Sequence, residues 1–350
     1  MMIRKSMGKA TAEAHANLAF VKYWGKADSE LNLPTNNSIS MNLSNARTVT
    51  TVEFNSSFSE DRVTVLDREI TEPNFAARTI RHLDRVRSIC GAELKAKVTT
   101  RSNFPGSVGI ASSASGFAAL SLAACAALGL DLNSRQLSIL ARQGSGSACR
   151  SIPDGFVEWL AGTDNESSYS HEIAPPDHWG ISVVTVIVSR EIKKRSSTSG
   201  HALARSSPFF EERLKTLPAR LDAVRRAILE RDFTAFGREV EMEAISMHSI
   251  AMTSALEQPG GWLSGIYYWT PETLELILEI QNWRQAGLEV YFTLDAGPTV
   301  HSVAQNKDVE AVILAVSRLE AGRGWEVMVN TPSTGARLVP EVEYSTGEGS

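Results

Sequence analysis

Apolar and polar residues alternate with a period of two at 47–55 (RTVTTVEFN) and 62–67 (RVTVLD), and LKAKVTT at 94–100 continues the pattern, which predicts three strands. Residues 72–92 carry a helical spacing. The run GFAALSLAACAALGL, 116–130, is apolar on nearly every face and stops at Gly129, so a buried helix is predicted. At 178–189 the pattern changes to HWGISVVTVIVS, the continuous apolar run of a strand covered on both faces. Beyond it, helices are predicted at 208–230, 233–251 and 271–286, then a strand at LEVYFTLDA (288–296) and a helix near 307–321. Strands and helices mix without strict βαβ alternation, which indicates an α+β fold. The change at 178–189 divides the chain into lobes 1–185 and 186–350. No repeat, low-complexity tract or long linker separates them, so they are expected to be closely joined.

Length agrees with this division: 350 residues, 43% hydrophobic, suffice for about two domains at roughly 100 to 200 residues each. Charge is balanced, 35 Lys plus Arg against 40 Asp plus Glu, which disfavours nucleic acid or an anionic membrane as partner. An anionic ligand must then be met by a local cluster. Cys90, Cys125 and Cys149 are scattered and form no zinc spacing. With no signal-peptide core and no run of 18 or more apolar residues, a cytoplasmic protein is expected.

Five segments offer chemistry. NFPGSVGIASSASG, 103–116, leads into the buried helix. Gly106, Gly109 and Gly116 permit close backbone approach, Ser112, Ser113 and Ser115 add hydroxyls, and a helix N-terminus attracts a phosphate. It lacks the lysine of the GxxxxGK[ST] loop, and a small-residue turn capping a helix would read the same way. RQGSGSACRS, 142–151, sets two serines and Arg150, whose fork suits a carboxylate or phosphate, in one short turn. A surface salt bridge is the ordinary alternative. FVKYWGKADSELNLPTNNSIS, 20–40, offers Lys22, Tyr23 and Lys26 among aromatic groups, either a binding cluster or a strand edge with snorkelling lysines. FTLDAGP, 292–298, ends an apolar strand on Asp295, as a base, an ion binder or a turn cap. KKRSSTSG, 193–200, is a phosphate flap or a solvated loop. His248 reads as a hydrogen-bonded packing residue, and Cys149 as a small buried neighbour.

Taken together, KYWGK with LNLPTNNSIS, GIASSASGFAAL, GSGSACRS, SST and DAGP resemble diphosphomevalonate decarboxylases of the GHMP kinase superfamily over nearly the whole chain. The resemblance implies a two-lobed GHMP kinase-like fold with the active site between the lobes. It implies ATP, Mg²⁺ and mevalonate 5-diphosphate as ligands, and a homodimer. By the same resemblance, Gly106, Gly109, Ser112 and Ser113 cradle phosphate, Ser197 touches the ATP phosphates from a flap, and Ser102 lies near adenine. Lys22, Tyr23, Lys26, Ser145, Ser147 and Thr198 hold the substrate. Arg150 orients its carboxylate, and Asp295 lies next to the 3-hydroxyl. Metal ligands are not implied. Thr198, where several bacterial relatives carry arginine, His201 in place of methionine, and Pro153-Asp154 in place of a bulky residue and glycine depart from the pattern. They leave open a mevalonate 5-phosphate decarboxylase. A small-molecule kinase that stops at phosphorylation has no use for the Arg150 clamp, and a non-catalytic binding protein has none for Asp295.

Overall fold

The computed structural model describes residues 8–66, 74–104, 112–189, 196–257, 261 and 263–340. In chain order the first part runs β1 (Gly8–Val21), β2 (Lys26–Asp28), β3 (Leu33–Pro34), β4 (Ser38–Asn55), β5 (Arg62–Val65), α1 (Phe75–Cys90), β6 (Lys95–Ser102), α2 (Ser112–Ala127), α3 (Ser134–Gly144), a 3₁₀ helix (Gly146–Ser151), β7 (Phe156–Trp159) and β8 (Ser170–Ala174). The second part continues with β9 (Ile181–Ile187), α4 (Ser197–Leu203), α5 (Phe210–Glu230), α6 (Phe233–Thr253), β10 (Leu256–Glu257), β11 (Leu263–Ser264), α7 (Pro271–Gln285), β12 (Val290–Thr293), β13 (Val300–Gln305), α8 (Val309–Glu320), β14 (Glu326–Asn330) and β15 (Arg337–Leu338). The predicted strands at 47–55, 62–67 and 94–100 and all the predicted helices are present, and the fold is α+β.

The first sheet is built on two long antiparallel strands. β4 pairs with β1 along most of its length, and its other edge takes β7 over Ser38–Met41 and β6 over Thr48–Asn55. Irregularities between His15 and Asn17 and between Ala19 and Val21 bend the end of β1 out of regular pairing. The chain therefore leaves the sheet at Lys22 with its backbone groups in need of other partners. α2 lies on β1 and β4, and the alanines of both surfaces let helix and sheet approach closely.

The second sheet has the order β12-β13-β9-β14 and is antiparallel throughout. β9 is buried at all seven positions, with Val184 and Val186 facing α7 and α8 while Ile181, Val183 and Ile187 join the core shared with α5 and α6. A division at 185/186 would cut β9, which lies wholly in this sheet, so the change of sheet falls between Ala174 and Ile181. α5 and α6 fill the space between the sheets, and Leu18, Phe20 and Val21 of β1 share one apolar cluster with Leu221, Val224 and Phe236. The chain then returns: Leu43 bridges Pro332, and β15 pairs with β1. Among the described residues no helix is long and apolar enough to cross a membrane.

Candidate active site

Lys22 lies just past the irregular end of β1, and Asp295 follows β12 of the second lobe. Lys22 Nζ donates to Asp295 Oδ1 at 2.8 Å and to the Ala19 carbonyl at 2.6 Å. The lysine side chain is 3% exposed and the aspartate 22%, so the ammonium is sealed while the carboxylate is reachable by a ligand. Lys22 is thus a buried ion-pair partner rather than a snorkelling edge lysine. Burial lowers its proton affinity below the ordinary lysine value, against the pull of Asp295. Burial pushes Asp295 up, but Lys22, with His301 and Arg150, outweighs it and holds the carboxyl below its ordinary value. Asp295 is therefore a carboxylate at neutral pH. His248 of α6 also faces this pair; burial and Lys22 push its imidazole down to about 3, so it is neutral.

Arg150, on the 3₁₀ helix, is buried. Its Nε donates to Asn17 Oδ1 at 3.1 Å and its Nη1 to Ser38 Oγ at 2.7 Å, which fixes the plane of the guanidinium and leaves Nη2 without a protein partner among the described residues. Asn17 in turn donates to Ser151 Oγ at 2.8 Å and to the Ser147 carbonyl at 3.1 Å. The surface salt bridge allowed by the sequence is not made. Asn17 and Ser38 went unrecognised in the sequence, since an Asn inside an alanine-rich strand carries no local signal. Cys149 is buried beside Arg150, and burial raises its thiol to about 11, which removes it as a nucleophile.

Tyr23 packs against Trp159 at 4.7 Å and His201 at 4.0 Å between ring centroids. Its Oη is buried with no hydrogen-bond partner among the described residues, an orphaned donor of the kind a ligand oxygen satisfies. Burial raises the phenol above its ordinary value and keeps it protonated. Gly146 makes this placement possible, because a Cβ there would lie 2.8 Å from Tyr23 Cε1. Gly146→Ala is expected to displace the ring and raise the substrate KM about tenfold with little loss of thermal stability, measurable by steady-state kinetics beside a melting curve.

Lys26 stands apart from Lys22. It donates to Asn32 Oδ1 at 2.6 Å in the β2–β3 hairpin, and burial together with Arg78 lowers its proton affinity. Ser113 and Ser145 are brought together, Oγ to Oγ at 3.1 Å, so the start of α2 meets the turn before Arg150. Ser112 and Ser113 form the first turn of α2, which contains no acidic residue. Ser102 is linked through Thr48 (2.8 Å) to Ser115 (2.7 Å) of α2. Gly106 and Gly109 lie outside the described residues, as do Lys193, Lys194 and Arg195.

Ser197 opens α4 and Thr198 is exposed beside it. The helix is seated by Gly200, whose Cβ would come within 2.5 Å of Trp24, and by His201, which lies between Tyr23 and Trp24 and accepts the Gly25 N–H at 3.0 Å on Nδ1. His201 therefore joins α4 to the Tyr23 cluster. Pro153 and Asp154 serve elsewhere: the Pro153 carbonyl accepts from Asn42 at 2.7 Å and Asp154 accepts the Gly335 N–H at 2.6 Å, holding the returning segment before β15.

Residues 14–170 match the model of the diphosphomevalonate decarboxylase-like N-terminal domain, and residues 183–344 that of the mevalonate 5-diphosphate decarboxylase C-terminal domain. The chain belongs to the diphosphomevalonate decarboxylase family. A diphosphomevalonate decarboxylase of Ganoderma lucidum is 34% identical over 88% of this chain and 81% of the relative. A phosphomevalonate decarboxylase of Haloferax volcanii is 32% identical over 88% of this chain and 92% of its own. Among solved structures, MDDEF in complex with MVAPP, AMPPCP and magnesium superposes with a TM-score of 0.85 at 32% identity, covering 96% of this chain and all of that one (100%). The GHMP kinase-like architecture expected from the sequence is the one these family members share.

Proposed function

We propose that this family member is an ATP-dependent carboxy-lyase that converts mevalonate 5-diphosphate to isopentenyl diphosphate by phosphorylating the 3-hydroxyl and then losing phosphate and carbon dioxide. The observation that carries the reading is the Lys22–Asp295 pair at 2.8 Å between the lobes, within the electrostatic reach of an anchored Arg150. A tertiary hydroxyl is a poor leaving group and must first become a phosphate ester. Asp295 accepts the hydrogen bond of that hydroxyl and takes its proton as the new O–P bond forms. The sealed Lys22 ammonium keeps Asp295 ionised beforehand. Asp295 then releases that proton to solvent through its exposed edge and is again a carboxylate, so that when the phosphate ester departs and electron deficiency grows at C3 its negative charge stabilises the developing cation. Arg150, held by Asn17 and Ser38, keeps the carboxylate in the orientation from which the C–C electrons form the double bond.

The start of α2, with Ser112 and Ser113, suits the phosphates of ATP, and Ser197 and Ser102 are its expected further contacts. Tyr23, Lys26, Ser145, Ser147 and Thr198 are assigned to the substrate, where the unpartnered Tyr23 Oη supports a ligand and Ser145, bonded to Ser113, lies beside the nucleotide end. Mg²⁺ is expected to accompany the nucleotide. Bound there it would neutralise phosphate charge. A homodimer, a cytoplasmic location and the absence of nucleic-acid or membrane partners complete the reading.

The Haloferax relative favours one alternative, a 5-monophosphate substrate. Parallel assays of phosphate and carbon dioxide release with both substrates are expected to give the higher kcat/KM for the diphosphate. A preference of about tenfold or more for the monophosphate, about 1.4 kcal/mol, would establish the alternative instead.

A further inference from the structure

Lys22 occupies an irregular stretch of backbone, yet both of its peptide groups are satisfied. Its N–H donates to Glu243 Oε1 of α6 at 3.1 Å. Its carbonyl accepts from Arg213 Nη2 of α5 at 3.1 Å and from Asn36 Nδ2 at 2.9 Å. Arg213 also pairs with Glu243, and Glu243 Oε2 accepts from Arg220 at 2.9 Å, with Glu239 on the far side of Arg220 at 3.0 Å. Glu243 is fully buried, at 0% exposure, and Arg213 is 4% exposed. A buried ion cluster is a poor route to stability, because desolvation offsets most of its attraction, so its placement asks for another purpose. Here Glu243 and Arg213 both bond the backbone of one residue of the opposite lobe, the residue that holds Asp295.

We propose that Glu243 is a positioning residue for phosphoryl transfer, acting through Lys22. Carried on α6, it fixes the Lys22 backbone from the second lobe, while Asp295 of the same lobe fixes the side chain. The second lobe therefore grips Lys22 at both ends, backbone and side chain, and so sets the approach of the ammonium to Asp295. Its negative charge also favours the protonated ammonium. Among the described residues, the charged or titratable groups facing Lys22 are Asp295 after β12, Glu243 and His248 on α6, Arg213 on α5, and Arg150 on the 3₁₀ helix; of these Asp295 and Glu243 are anionic. This inference rests on the decarboxylase reading above.

The test is the pH dependence of kcat/KM for ATP-driven carbon dioxide release from mevalonate 5-diphosphate. Wild-type turnover is measured first, and its absence would sink the decarboxylase reading rather than the clamp. Glu243→Gln keeps an oxygen for the Lys22 N–H but removes the charge. Its basic limb is expected to move to lower pH by about half a unit or more, and kcat to fall about tenfold with KM for both substrates within about twofold. Arg220→Met removes one of the cations neutralising Glu243 at a site whose side chain is 16% exposed, so its basic limb should move to higher pH. A purely structural cluster would lower the melting temperature of both variants and move neither limb, and that outcome overturns the proposal. If Glu243→Gln fails to fold, the direction of the Arg220→Met shift decides alone: upward supports the clamp, unchanged or downward overturns it.

Discussion

Asp295→Asn should reduce turnover by at least about 10²-fold while leaving ATP affinity nearly unchanged. The amide matches the carboxylate in size, so the substrate still enters, but two functions disappear. The hydroxyl proton has no acceptor, and the buried Lys22 ammonium has no counter-charge at 2.8 Å. A sealed cation that loses its nearest counter-charge is pushed further towards its neutral form, so the second loss compounds the first. Nucleotide binding should survive, because the α2 N-terminus and its serines do not touch Asp295. Steady-state turnover beside an ATP-analogue titration checks both halves. Near-normal turnover would take Asp295 out of the chemistry.

The second large effect concerns Arg150→Lys. The charge is kept, but one ammonium on a flexible stem cannot reproduce the planar fork that reaches Asn17 at 3.1 Å and Ser38 at 2.7 Å and still meets a substrate carboxylate. A charged hydrogen bond is worth about 1.5 to 3 kcal/mol, so carbon dioxide release should slow by about 10- to 10²-fold. Phosphoryl transfer depends on Asp295 and is less affected. Rapid quenching of a single turnover should then show ADP ahead of carbon dioxide, with a 3-phosphorylated intermediate between them. Simultaneous appearance at the wild-type rate would make the arginine structural.

How far the chain could be read without coordinates depended on whether each feature was local. α2 was plain because Ala and Leu occupy every face and Gly129 ends it. β9 was plain because seven buried positions in a row leave an apolar run on both faces. β1 passed unnoticed: Gly8–Val21 alternates alanine with polar residues, alanine is a weak strand former, and only pairing with β4 and close contact with α2 make it extended. The site divides along the same line. Lys22, Arg150 and Asp295 stood out as candidates from residue type and motif, since a cation beside aromatics, an arginine in a Gly-Ser turn and an aspartate at a strand end each carry a local signal. Their partners, Asn17, Ser38 and Glu243, lie on regular elements far away in the chain, and nothing near them in sequence announces the contact. Lys22 and Lys26, close along the chain, have different partners, Asp295 and Asn32, which their spacing in sequence does not reveal.

The returning segment carries a consequence for how the molecule is made. Ala12 pairs with Leu338, and Glu13 meets Arg337 at 2.7 Å across 324 positions of sequence. As the chain emerges from a ribosome, the 324 positions between Glu13 and Arg337 separate β1 from β15, so this edge of β1 stays open until the second sheet has been synthesised. The second lobe has by then had time to form on its own side. Completion of the first sheet is therefore a late event with a large loop to close, and the interval before it exposes an unpaired strand edge to other chains.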